Sequence, residues 1–203
     1  NPGGIGFVDG HQLTLDINWA YRSASYERGI NAVGLAPGQT QDDLTQDQIA
    51  ANTGTGEVNN LLYSPMVGYI TDFGLDAPFA VGFGFYAPFG GQSVWDETSA
   101  PEQFPGAEDG PNRWYVMEGT IRTLAFTLGG AYVIEPANLS IGVGGNLLIS
   151  QVNTIRARNA DGTDRLSTEG RSEIDVSSTD FSLGVGLLWE AMEDKLWIGA
   201  SYQ

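Results

Sequence analysis

The chain holds one histidine, His11, and no cysteine among its 203 residues. A catalytic or metal-binding histidine needs partners, and none stands near His11 in sequence, so it reads as a structural or interfacial residue. Without cysteine there is no disulfide framework and no thiolate metal site. No P-loop and no G-x-S-x-G nucleophile motif occurs. Gly82-Phe83-Gly84, Gly142-Val143-Gly144 and Gly184-Val185-Gly186 are not phosphate loops, because each lies inside an alternating run with no helix after it. Asn159-Ala160-Asp161-Gly162-Thr163-Asp164 spaces its acids somewhat like a calcium loop, but it lacks the full pattern and the closing Glu, and reads as a turn. The sequence therefore predicts no catalytic residue, no metal site and no cofactor.

What remains is chemistry of binding. Glu118 and Arg122 share one face of a strand, and Asp16 and Arg22 share another. An arginine inside a barrel can hold a carboxylate through a charge-assisted, bidentate pair. The alternative is that each acid simply neutralises its arginine. Gly82, Gly84, Gly142 and Gly144 either leave space for an elongated apolar ligand or ease curvature and close packing. Arg122, Glu118, Arg22 and these four glycines are the candidate ligand-binding residues.

Such residues have to be positioned by strands, and the chain is built of them. In the run after Asn138, Leu139, Ile141, Val143, Leu147 and Ile149 alternate with Ser140, Gly142, Gly144, Asn146 and Ser150. Leu148 is the one exception. Period-2 alternation of this kind marks strands. A soluble sheet wets its outer face with Lys, Glu, Arg and Thr. Gly, Ser and Asn instead suit a membrane barrel, apolar toward lipid and small or polar toward the lumen.

Seven strands are predicted, at about 11–26, 61–73, 79–87, 113–134, 138–152, 177–190 and 196–202. The fourth slips parity: Met117 and Ile121 are odd, whereas Leu124, Phe126, Leu128 and Tyr132 are even. A β-bulge near Thr123 would reconcile the two. The connections alternate long and short, with long loops at 27–60, 88–112 and 153–175. A short helix within 42–51 is the one exception to an all-β reading. Long loops on one side and short turns on the other are the pattern of up-and-down barrels. Trp114, Tyr115, Tyr63 and Phe85 fall near the loop ends, and Trp189, Phe73 and Phe79 near the turn ends, as two interfacial girdles would.

The net charge is −16, with Lys195 the single lysine. That excludes a nucleic-acid footprint and docking on an anionic leaflet. Most of the negative charge sits in the three long segments, as expected if charge is kept off a lipid-facing wall. No apolar run is long enough for a membrane helix, but barrel strands need only about 9–11 residues. The first residues, Asn1 to Gly4, lack the features of a signal peptide. Seven strands would leave two unpaired edges, which a bilayer does not tolerate. The expectation is a fragment of a larger barrel.

Asn1-Pro2-Gly3-Gly4 followed by Asp9-Gly10 resembles the opening motif of FadL/TodX-type outer-membrane transport proteins. So do the run from Ala80 to Gly91, the run from Gly119 to Leu124, Gly130-Ala131-Tyr132, Leu139 to Gly144, and the closing Ile198 to Gln203. Gly3 replaces the Ala of the family motif. The resemblance implies a transmembrane barrel of fourteen strands with an N-terminal hatch, of which residues 1–10 would be the end. It implies passive import of long-chain fatty acids or other hydrophobic compounds, such as aromatic hydrocarbons, across the outer membrane. The partners implied are hydrophobic small molecules and outer-membrane lipid. Two other functions fit the residues alone: a structural or adhesive barrel that transports nothing, and a soluble β-barrel that binds lipid inside.

Overall fold

The structure, a computed structural model, describes residues 1–75, 77–98 and 104–203. Asp76 of the predicted 74–78 turn, and Pro101 and Glu102 of the predicted acidic loop, lie outside the described residues.

Seven strands form one antiparallel sheet in chain order. They are β1 (His11–Arg28), β2 (Gly54–Thr71), β3 (Phe79–Val94), β4 (Glu118–Ile134), β5 (Leu139–Arg158), β6 (Gly170–Met192) and β7 (Leu196–Tyr202). The sheet is a half-barrel. Most strands run several residues further into the long connections than alternation alone suggests. Those extensions carry Ser, Thr, Asn and Arg on both faces, which hides the period. The first connection holds helix α1 (Gln46–Asn52), whose N-terminus is closed by a Thr45–Gln48 capping box.

The two faces of the sheet are chemically opposite. A 3₁₀ helix, Pro2–Phe7, lies across one of them. Its backbone at Pro2 and Gly3 occupies the space where a side chain on Gly142 would go. The Ile5 Cδ1 lies 3.1 Å from where a Gly129 Cβ would stand and 3.4 Å from the Gly82 equivalent. This is the inner face. Phe83, Ile141 and Val185 point from the other face and are 44%, 42% and 54% exposed. Among the described residues the buried apolar side chains are Val33, Val58 and six alanines. A soluble domain of this length buries large Leu, Ile and Phe side chains instead. Here those residues line the outer face, where only an apolar solvent rewards them.

The predicted bulge near Thr123 is not there. β4 pairs with β5 without a break from Glu118↔Ile155 to Ile134↔Leu139. The irregularity sits in β3, between Tyr86 and Phe89. Because β4 is regular, Ile121 shares the inner face with Ala125, while Glu118 and Arg122 share the outer face with Phe126. The parity slip in the sequence is a large apolar residue placed on the inner face.

Candidate functional site: an opening in the wall

The ladder between β2 and β3 is incomplete. The two strands pair only over Met66–Thr71 and Val81–Tyr86. Beyond Met66 and Tyr86, β2 stays paired to β1 as far as Gly54, and β3 stays paired to β4 as far as Val94. They meet again where the Asp96 N–H donates to the Glu57 carbonyl at 2.9 Å. Between those points the wall is open.

Local chemistry explains the parting. Pro65 lies on the β2 lip and Pro88 on the β3 lip, and neither has an N–H to donate. The β3 irregularity falls at Pro88, which is where an interrupted ladder tolerates an extra residue. Gly90 and Gly91 follow and send no side chain across.

The opening forms a cavity of about 520 Å³. Its lining includes Asn18, Trp19 and Ala20 of β1, and Thr120, Ile121 and Arg122 of β4. Consecutive residues of a strand point to opposite faces. A cavity that touches three in a row on both sides therefore passes through the sheet. Leu61, Leu62, Tyr63, Pro65 and Leu124 make most of the remaining lining apolar.

The predicted ligand residues distribute unevenly about this opening. Arg122 stands on its outer lip and donates to the Gln151 Oε1 at 3.2 Å. It faces outward rather than into the lumen, because the bulge that would have turned it and Glu118 inward is absent, and it makes no ion pair with Glu118. Arg22 stands on the inner face at the loop-side rim. Its Nε donates to Asn60 Oδ1 at 3.1 Å and its Nη2 to the Gln92 carbonyl at 2.6 Å. Asp16 takes a hydrogen bond from Asn18 instead. Gly82 and Gly142 lie under the N-terminal helix. Gly144 borders a separate inner cavity of about 260 Å³, shared with Pro2, Ile5, Thr127 and Asn146. Gly84 sits in register between Gly68 and Thr127. A polar row, Thr127 Oγ1 to Asn146 Oδ1 at 2.6 Å and Asn146 Nδ2 to Ser182 Oγ at 3.1 Å, lines the same face.

At the turn end, the N-terminal helix joins β1 through Gly10, whose φ of 71° suits glycine. Asp72 clasps this joint. Its Oδ2 accepts the Gly10 N–H at 3.0 Å, its Oδ1 accepts the Gly74 N–H at 2.7 Å, and its own N–H donates to the Gly10 carbonyl at 3.2 Å. His11 is part of the same end, within hydrogen-bond distance of Tyr69 Oη and Thr71 Oγ1. The Gly10 and Gly74 amides hold the Asp72 carboxyl below the usual carboxylate range. A lowered folded value means the clasp is complete above the ordinary pKa of about 4 and is lost as pH falls through the lowered value. The Gly10 amide is expected to exchange faster with solvent as pH is taken below 4, after correction for intrinsic rates. Asp72→Asn should abolish that pH dependence. An unchanged profile in Asp72→Asn would assign the effect elsewhere.

The long connections are not independent loops. Arg28 donates to Asp164 Oδ2 at 2.6 Å and to the Asn52 and Ala32 carbonyls. Arg113, fully buried, makes a two-nitrogen pair with Glu169 at 3.0 Å and reaches the Ala51 and Gly110 carbonyls. Arg171 joins Glu169 to Asp109. Asn52 ties the set together, accepting from both Arg113 and Trp114. Trp114 thus belongs to this cluster and not to an interfacial girdle. Asp164 is engaged by Arg28, so the calcium-like stretch is a turn that closes an ion pair. Sequence reading missed these arginines because the acids that join them to another segment lie 56 to 136 positions away. Removing one partner of a buried pair costs about 3–5 kcal/mol. Arg113→Ala should therefore release protection of α1 and residues 109–114 in hydrogen exchange while the strand cores stay protected.

A half-barrel with an apolar outer face, a glycine and polar inner face and an internal N-terminal segment defines the class: a membrane-type antiparallel β-barrel wall. In particular, the chain has the fold of part of a FadL-type barrel. It superposes on the crystal structure of a Pseudomonas aeruginosa FadL homologue with a TM-score of 0.62 and 16% identity. The match covers 95% of this chain and 43% of that one, so the chain spans less than half of that protein's length. No protein-family model and no curated protein sequence matches the chain.

Proposed function

We propose that this chain is part of an outer-membrane channel for passive uptake of hydrophobic compounds, long-chain fatty acids or aromatic hydrocarbons among them. The opening between β2 and β3 is the observation that carries the reading. Unpaired backbone inside a bilayer is tolerated only where protein covers it or a cavity uses it. A spanning strand needs about 9–11 residues. Met66 lies five residues, and Asn60 eleven, from Thr71 at the turn end of β2. With the turns on the periplasmic side, the opening faces the outer half of the hydrocarbon layer.

The mechanism needs no bond chemistry. A hydrophobic solute is captured at the loop side and enters the lumen. It then leaves sideways through the apolar opening into the surrounding acyl chains. Residues 1–10 act as the end of a hatch that closes the lumen below, seated on Gly82, Gly129, Gly142 and Gly186. Arg122 on the outer lip and Arg22 on the inner rim flank the route with positive charge, which suits a solute with an anionic end.

The test is ligand binding and uptake by the full-length protein. Saturable binding of a fluorescent fatty acid, or of an aromatic hydrocarbon, with uptake restored in an uptake-deficient host, is the expected result. Absence of binding across both classes would favour a structural or adhesive barrel.

A further inference from the structure

The opening is not simply unpaired; its loop-side end is fastened by side chains. Within and past the β3 irregularity the Ala87 and Gln92 carbonyls face β2, beyond the last paired residues of the two strands. Three side chains replace the ladder. Ser64 Oγ donates to the Ala87 carbonyl at 2.9 Å. Asn60 Nδ2 and Arg22 Nη2 both donate to the Gln92 carbonyl. Arg22 belongs to β1, is the registered partner of Asn60, and reaches Gln92 across the intervening strand. Arg22, Asn60 and Gln92 thus form a rung across three strands made of side chains instead of backbone.

The geometry points to an aperture latch, and this inference rests on the proposed route through the wall. We propose that Arg22 and Asn60, by holding the Gln92 carbonyl, set the maximum width of solute the opening admits. Ser64 and Ala87 fix the turn-side end. Between the two rungs, Leu61, Leu62 and Tyr63 face Gly90 and Gly91 with room for a slender apolar body. Beyond the latch, among the described residues, no further bond crosses until Glu57 and Asp96. Releasing it therefore extends the opening along both strands as far as that contact. A side-chain rung can break and reform without disturbing the β1–β2 ladder, which is unbroken, or the β3–β4 ladder, which is regular from Phe89 to Val94. A backbone ladder at the same place would have to unzip from an end.

The size dependence of passage distinguishes a latch from a mere brace. Uptake of hexadecane, slender and uncharged, and of perylene, broad and uncharged, is measured with the full-length protein in proteoliposomes. Arg22→Ala and, separately, Asn60→Ala are expected to raise the perylene to hexadecane ratio several-fold. A ratio unchanged in both variants, whether or not the two rates fall together, would overturn the proposal. A second readout does not depend on transport. The chain has no native cysteine, so Gly91→Cys supplies a single thiol in these residues. With the latch intact it should react with a small maleimide and resist a bulky one, and Arg22→Ala should remove that difference. If neither solute crosses in any form but the labelling ratio shifts, the uptake reading fails and the latch stands. If both solutes cross and neither ratio moves, the latch fails and the uptake reading stands.

Discussion

Gly91→Trp is expected to block passage through the wall while leaving the barrel folded. A Cβ added at Gly91 meets no atom within 4 Å, and one at Gly90 only the Ile121 carbonyl at 4.0 Å. Neither position has a positive φ that would reserve it for glycine. A large side chain can therefore enter the opening without moving backbone. An indole brings 150–250 Å² of mostly apolar surface and finds Leu61, Leu62 and Tyr63 opposite. Uptake of a fatty acid or hydrocarbon by the full-length protein should fall at least about tenfold, equivalent to roughly 1.4 kcal/mol in the barrier to passage. Heat-modifiable migration in detergent gels should stay as in the unaltered protein. Normal uptake with the tryptophan in place would remove the wall opening from the route.

The second large effect is expected at the floor beneath the N-terminal helix. Gly142 lies against the backbone of Pro2 and Gly3, and Gly186 against Asn1 and Pro2. Gly3 in turn would place a Cβ 2.9 Å from the backbone of Leu187 and Leu188. The Gly142 and Gly3 contacts are with main chain, which cannot swing aside as a flexible side-chain tip can, whereas Gly186 meets the Asn1 and Pro2 side chains. Gly142→Val must therefore lift residues 1–7 off the sheet or distort the sheet itself. Overpacking of this kind costs about 1–3 kcal/mol. The cost should appear as detachment of the helix, because that helix is held by few bonds. They include Asn1 Nδ2 to the Leu187 carbonyl at 2.9 Å and an edge-on contact of Phe7 with Trp197 at 4.7 Å. Residues 1–10 should then become accessible to protease, with the strands still protected. Gly84→Ala serves as the control, since a Cβ there meets only Thr127 Cβ at an ordinary 3.7 Å. Equal protection of residues 1–10 in both variants would mean the glycine floor does not seat the helix.

The sheet puts its glycines to different uses. Gly142 makes room for the Pro2–Gly3 backbone and Gly186 for the Asn1 and Pro2 side chains, whereas Gly90 and Gly91 leave an opening. Composition does not separate these uses, because all four lie in alternating or glycine-rich strand sequence. The neighbour decides, and the neighbour is brought in by the chain's path.

The period-2 alternation by itself settled that the chain forms antiparallel strands and, the start of β4 apart, which face of each is greasy. It did so because side-chain direction in a strand depends only on parity, a local property. It also located β7 at Leu196–Tyr202 to the residue, although the turn before it is Glu193 to Lys195, shorter than the expected 191–195. The positions of the bulge, the opening, the glycine floor and the arginine cluster were decided by tertiary structure. A slip in hydrophobic phase says that one residue is out of step, but either strand of a pair can absorb it. Ile121 is out of step because β4 stays regular, and because β3 gives way at Pro88 that apolar side chain faces a hole. Likewise Arg28 and Asp164 are 136 positions apart, and nothing in the sequence between them records that they touch. Strand identity is written in neighbours two residues apart, whereas the route through the wall depends on which distant backbone groups fail to meet.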